Sequence, residues 1–415
     1  MKLDKLIDAK KEAADFIVED ITKICKTMPK RDPGSEGELL VSEYFKELCL
    51  EEYGCDEARV EEFREHPASF FGWIWITFTL TILAAILCFF NVKVLAAVSA
   101  VLTVIGWLIC ILQFGMYKPL VDRLFPEKTG HNMWAVKKPK GETKARVFFC
   151  GHSDAVWEWP VNYALGGVCF ELHLVISAVG TLYYLAVAIL QLAGAAAFLT
   201  HTMALWGILF LPFELGMFFM WTWWDPHKDK RNIVDGANDN LSGCYIGLAI
   251  LKELKKQGIE LEHTEVGVIA VGSEEAGLRG SKAWCKAHKD DFKDVPTYVY
   301  SYDTIFDPKF LLANYRDLNA TVKMDKALGD LFMQSAEETG VHCARGVVPP
   351  LGGATDGAAF AQAGMRAFSI TGLNHKLENY YHTRRDTYDN MNKQGLADCY
   401  AASCKVLEHI ENGDI

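Results

Sequence analysis

Five short stretches of this chain carry residues able to bind a metal or move a proton. Gly151-His152-Ser153-Asp154 offers an imidazole with an acid two residues on. In that spacing the acid lies on the same side and can hold the second ring nitrogen. An isolated His-x-Asp is commonly structural, so this stretch needs company. Gly236-Ala237-Asn238-Asp239-Asn240-Leu241-Ser242-Gly243 places Asp239 at the start of a helix, where it could bridge two metals or simply cap the helix. Gly272-Ser273-Glu274-Glu275-Ala276-Gly277 sets two carboxylates side by side after an apolar run. Like charges at the end of a buried strand repel unless something compensates them. Metal ions would, and one Glu could then ligate while its neighbour takes a proton from water. Asp303 follows Thr-Tyr-Val-Tyr-Ser-Tyr, and Tyr381-His382-Thr383 is followed by Asp386-Thr387. Together these supply His, Asp, Glu, Asp, His and one spare Glu. That inventory suits two zinc ions about 3.5–4 Å apart, sharing a water and a bridging carboxylate.

The elements that must position these groups alternate. Ala145–Cys150, Glu265–Val271, Thr297–Tyr302 and Ala367–Thr371 read as strands, and Leu241–Gln257 and Leu278–His288 as helices. Leu3, Leu6, Ile7, Ala14, Phe16, Ile17 and Ile21 recur at helical spacing over 3–28. A turn at Pro29–Glu36, a second helix over about 35–52 and a strand at Ala58–Glu65 follow. The expected fold is α/β, a mostly parallel sheet sandwiched by helices, with the polar clusters just past strand ends.

Two insertions break this pattern. Phe70–Phe90 and Val94–Tyr117 are uncharged, and Leu174–Thr200 with about Thr202–Trp224 carries only Glu214 as an acid. Each run is long enough to cross a ~30 Å hydrocarbon core, which takes about 20 residues. Trp73, Trp75, Trp107 and Tyr117 loosely match an aromatic belt. The runs read as two transmembrane α-hairpins, which divide the chain into 1–69, 70–117, 118–172, 173–225 and 226–415. Residues 1–69, 118–172 and 226–415 form the catalytic domain. Hairpins return the chain to its starting side, so a four-span, multi-pass protein with all soluble sequence on one face is expected. Arg59, Arg64, Lys118, Arg123, Lys128, Lys228, Lys230 and Arg231 flank the spans there, against Lys93 on the far side. The positive-inside bias puts the catalytic part in the cytoplasm. Twelve scattered cysteines without a CxxC pair, and the absence of a signal peptide, agree with reduced thiols. Glu214 is read as either a functional acid within a span or an interfacial one. His173 and His201 are read as interfacial, and His131, His263, His288, His342 and His375 as surface or core residues. The net charge of −11 argues against a broad nucleic-acid surface; it leaves the oligomeric state open.

The order GHSD, GANDNLSG, GSEEAGLRGS, YSYD and YYHTRRDT resembles the M28 family of di-zinc aminopeptidases and carboxypeptidases, with a zinc-peptidase/phosphorylase-like fold. The turn DPGSEGE, the stretch Asn132-Met133-Trp134-Ala135, and Thr355-Asp356 with Phe360 and Gly364 fit the same family pattern. Apart from the hairpins, the resemblance covers nearly the whole chain. It implies that Asp239 bridges both ions, that His382 and Glu275 complete one site, and that His152 and Asp303 complete the other. It implies Glu274 as general base and then acid, with Asp154 orienting His152, and zinc as the metal, with other divalent ions able to substitute. The sibling M20 family inserts a lid domain before its last His. The 79 positions from Asp303 to His382 are too few for that lid, which favours M28. The departure is the 87 positions between His152 and Asp239, filled by the second hairpin. The expected activity is amide hydrolysis by an aminopeptidase-like exopeptidase acting on short peptides. An amidase for N-acyl or lipid-linked amino acids arriving through the bilayer is the alternative. A receptor or scaffold that has lost catalysis is the third reading, opposed by the full set of ligand residues.

Overall fold

The computed structural model describes residues 3–221, 233–374 and 378–415. Trp224, Lys228, Lys230, Arg231 and His375 lie outside the described residues. The chain divides into two compact units, one of residues 1–67, 127–156 and 233–415, the other of 68–126 and 157–232.

The first unit is built on an eight-stranded sheet. Its strands are β1 (Glu57–Glu65), β2 (Lys128–Lys137), β3 (Ala145–His152), β4 (Thr264–Val271), β5 (Thr297–Ile305), β6 (Leu312–Asn314), β9 (Ala344–Gly346) and β10 (Arg366–Gly372). The spatial order is β1-β2-β4-β3-β5-β10-β6-β9, and β7 (Arg316–Asp317) with β8 (Val322–Lys323) forms a separate pair. β4, β3, β5 and β10 run parallel, whereas β1, β2 and β6 pair antiparallel, so the sheet is parallel at its centre and mixed overall. Burial explains the split. Every residue of β4 is buried, as an apolar run covered on both faces requires. In β1, charged and apolar residues mix, and only Glu65 is buried. Helix Ser242–Lys256 packs against β3 so closely that a Cβ on Gly151 would lie 2.4 Å from the Cys244 backbone nitrogen. The N-terminal helix is broken at Ala9 into Asp4–Asp8 and Lys10–Thr27, and the second covers Glu36–Glu47 with a π-turn to Glu52. All twelve cysteines are free.

The second unit holds four helices long and apolar enough to cross a membrane: Ser69–Cys88, Lys93–Gly115, Pro160–Leu192 and Ala197–Phe219. Hydroxyl and amide side chains bond backbone carbonyls between them. Thr77 Oγ1 donates to Gly106 O (3.2 Å), Ser99 Oγ to Ala84 O (2.9 Å), Gln191 Nε2 to Cys88 O (2.7 Å) and Tyr184 OH to Gly207 O (2.9 Å). Such bonds hold apolar helices together where water-driven burial is weak.

The limits of the second pair differ from the sequence reading. The third helix starts at Pro160 rather than Leu174, with non-helical torsions at Gly166, and its turn lies at Ala193–Ala196 rather than beside His201. His201 is therefore inside a helix. His173 is mid-helix, with Nε2 2.8 Å from Phe213 O, whereas His201 stays close to the start of its helix at Ala197. Trp73 does not join a surface belt: it is buried against Phe114 and Trp221. Glu214 is fully buried, and neither carboxylate oxygen has a hydrogen-bond partner among the described residues. Its side chain is therefore covered by protein rather than exposed.

Candidate active site

Three parallel strands end side by side. His152 closes β3 opposite Val271, the last residue of β4, and Asp303 lies near the end of β5 opposite Thr371 of β10. The loop after β4 carries Glu274 and Glu275. Asp239 comes from the irregular turn Ala237–Leu241 ahead of helix Ser242–Lys256, and His382 from the loop after β10. His382 itself has a φ of +54°, a left-handed torsion that a side chain with Cβ adopts only when its surroundings hold it there.

These groups converge on Asp239. His152 Nε2 lies 3.2 Å from Asp239 Oδ1, and His382 Nε2 lies 2.9 Å from Oδ2. One carboxylate thus faces an imidazole on each oxygen. Glu275 Oε1 is 3.3 Å from His382 Nε2, and Glu274 Oε2 is 3.8 Å from His152 Nε2. Ligand atoms of His152, Asp239 and Glu275 all fall within 4.8 Å of one another. Asp303 is close enough for the charges of Asp239 and His152 to act on it, and its Oδ1 accepts from Thr304 Oγ1 at 2.7 Å.

The electrostatics match a site made for cations. Burial would lower the histidines, but carboxylates outweigh it. Asp154 and Asp239 hold His152 well above its usual range, and Glu275 and Asp239 hold His382 at about 10. Burial alone would raise Asp239, yet the bonds from both histidines keep it well below the carboxylate range. Burial pushes up Glu274, Glu275 and Asp303, the last to about 8. Without metal, the acids must borrow protons from solvent and from the histidines. Divalent ions among the same donors would displace those protons, since a dication reverses the local proton balance. The donor set of two imidazoles and three carboxylates fits zinc, and both histidines present Nε2 inward, as ligands do.

The supporting groups are equally specific. Asp154 lies 3.4 Å from His152 Nδ1, and it accepts from the backbone nitrogens of Glu274 (3.0 Å) and Glu275 (3.1 Å). It therefore grips the backbone of the acidic loop while standing beside the imidazole. Three further groups hold the site loops: Asp386 and Asn132, which the sequence motifs contained without a stated role, and Arg31, which they did not single out. Asp386 accepts from Asn238 N (2.8 Å) and Asp239 N (3.1 Å), fixing the turn that presents Asp239. Arg31 donates to Ser153 O (2.8 Å) and Gly236 O (3.1 Å), tying two site loops together. Asn132 Oδ1 accepts from Gly272 N (3.0 Å), and its Nδ2 donates to Gly280 O (2.9 Å). Their signal was faint but present: Asp386 lies in the YYHTRRDT stretch, and Arg31 in the turn before DPGSEGE.

Comparison with known proteins agrees with this geometry. Residues 224–407 match the model of peptidase family M28. No curated protein matches the chain. Among solved structures, the LapA aminopeptidase of Legionella pneumophila aligns with a TM-score of 0.54 at 12% identity, over 99% of this chain and 75% of that one. BSAP, a zinc aminopeptidase from Bacillus subtilis, aligns with a TM-score of 0.54 at 13% identity, over 96% and 95%. A glutaminyl cyclase of Bacteroides thetaiotaomicron, bound to N-acetylhistamine, aligns with a TM-score of 0.52 at 13% identity, over 95% and 96%. These likenesses concern the fold, and the family assignment comes from the matched segment. Residues 224–407 thus carry the pattern of peptidase family M28, within a fold shared with known zinc aminopeptidases.

Proposed function

We propose that this chain is a membrane-anchored zinc exopeptidase of the aminopeptidase type, with two ions held by His152, Asp239, Glu275, Asp303 and His382. The observation that carries the reading is Asp239, whose two oxygens each face an imidazole while Glu274 and Glu275 stand alongside. In this assignment Asp239 serves both ions, Glu275 and His382 complete one set, and His152 and Asp303 the other. Zinc there would polarise the scissile carbonyl and bring the pKa of water towards ~7. Glu274 takes the proton from the attacking water and delivers it to the leaving amine nitrogen. Asp154 keeps the His152 ring turned inward throughout.

The substrate reading is a short peptide. A second reading, an amidase for N-acyl or other lipid-linked amino acids, is favoured by one feature. The apolar segment 157–232 is inserted between the strand that carries His152 and the turn that carries Asp239. Detergent-purified protein should cleave aminoacyl or dipeptide substrates, and a chelator should abolish that cleavage. Preference for N-acyl amides would select the amidase, and chelator-resistant turnover would reject the metal assignment.

Membrane crossing by the four helices, with the catalytic unit in the cytoplasm, rests on their length and on the basic residues Arg59, Arg64, Lys118, Arg123 and Lys128. Protease added outside intact cells should leave the catalytic unit whole. Its digestion from outside would invert the topology.

A further inference from the structure

The loop that presents Glu274 and Glu275 is not relaxed. Ser273, Gly277 and Leu278 all have left-handed torsions, with φ of +53° at Ser273. Something must hold Ser273 there, and its side chain shows what does. The hydroxyl sits between two buried carboxyl groups, 2.7 Å from Glu38 Oε2 and 2.6 Å from Glu65 Oε1.

Proton counting makes this arrangement informative. A serine hydroxyl has one proton and can donate to one acceptor only. The second short oxygen–oxygen contact therefore needs a proton from a carboxylic acid. Burial raises Glu38 as well, but its bonds are those that favour the anion of the pair. Its oxygens accept from the backbone nitrogens of His131 (2.7 Å) and Gly34 (3.2 Å), and His131 Nδ1 is 3.6 Å away. Glu65 is 3% exposed, and its Oε2 has no hydrogen-bond partner among the described residues. A charged oxygen in that position would be costly, whereas the carbonyl oxygen of a neutral acid is tolerated.

The charged groups around Glu65 point the same way. Burial, then Glu38 on helix Glu36–Glu47 and Asp154 after β3, push its carboxyl up to about 9, against Ser273 and Arg279. Lys128, its cross-strand partner on β2, has its ammonium 3.8 Å from Asp32.

We propose that Glu65 is a positioning residue of this peptidase: as a neutral acid it donates to Ser273, Ser273 donates to Glu38, and this chain of bonds fixes the loop that carries Glu274 and Glu275. Glu65 touches neither substrate nor metal ligand. On deprotonation, two anions face each other across one hydroxyl with a single proton between them, and the grip on the loop is lost.

The inference rests on the peptidase reading for its kinetic consequence but not for its protonation state, so two measurements separate them. Glu65→Gln keeps a neutral donor and a carbonyl at every pH, whereas Glu65→Leu removes both. The infrared spectrum of the wild-type protein near neutral pH should contain a protonated-carboxyl band that Glu65→Gln lacks and that disappears above about pH 9. In turnover, Glu65→Gln should match the wild type near neutral pH and stay active above about pH 9, where the wild type declines. Glu65→Leu should lose kcat by about 10- to 100-fold with KM unchanged. Identical carboxyl bands in wild type and Glu65→Gln would overturn the proposal. So would the same alkaline decline in both, or a wild-type kcat in Glu65→Leu. Absence of any peptide cleavage would instead strike the peptidase reading and leave the infrared result to decide this one.

Discussion

Glu274→Gln is expected to lower kcat by about 10²–10⁴-fold while leaving zinc content at the wild-type level. The neighbouring Glu275 has its oxygen 3.3 Å from His382 Nε2 and is the ligand in our assignment. Glu274 stands 3.8 Å from the His152 nitrogen and, in the same assignment, carries the proton. Gln keeps the volume, and the loop stays anchored, because Asp154 grips the Glu274 backbone nitrogen and not its side chain. What is lost is only the capacity to take a proton from water and return it to the amine. Metal analysis alongside steady-state kinetics decides the matter. A near-native kcat would remove Glu274 from the mechanism, and loss of zinc would make it a ligand.

Asp239→Ala should be more damaging and in a different way. Both imidazoles lean on this one carboxylate, at 3.2 and 2.9 Å, so its removal dismantles both halves of the site. Zinc content should fall towards zero, and activity by more than about 10³-fold. The gain in thermal stability that zinc confers on the wild type should vanish, since a ligand stabilises only the state that binds it. Asp154→Asn offers the contrast, with an expected weakening of metal affinity of about 10- to 100-fold, because it acts through the His152 ring. Retention of one full equivalent of zinc by Asp239→Ala would mean that this carboxylate does not bridge.

The parts of the fold legible in the sequence were those with a single dominant cause. β3, β4 and β5 are continuous apolar runs because both faces are covered, and their polar endings could be read as a site. The edge strand β9 and its neighbour β6, three residues each, are too short to show an alternation. The third long helix was read as starting too late, because Asn162, Glu171 and His173 interrupt its apolar run. Its closing turn was misplaced because Ala193-Gly194-Ala195 is as apolar as the helices it joins. Arg31 escaped, and Asp386 was named without its role, for another reason. They act by bonding backbone groups over 100 residues away, and no local pattern records such a partner.

The N-terminus and the last helix meet in the catalytic unit: Leu3 donates its backbone nitrogen to Glu408 at 2.5 Å, and helix Lys10–Thr27 lies along Lys393–Asn412. The proposed metal ligands likewise run from residue 152 to residue 382, interrupted by a stretch of the second unit. A chain still being made therefore cannot assemble the centre. His152 emerges first, the third and fourth apolar helices follow, and the other imidazole comes 230 residues after the first. In our assignment, then, the centre closes only after the separate stretches of the first unit have come together.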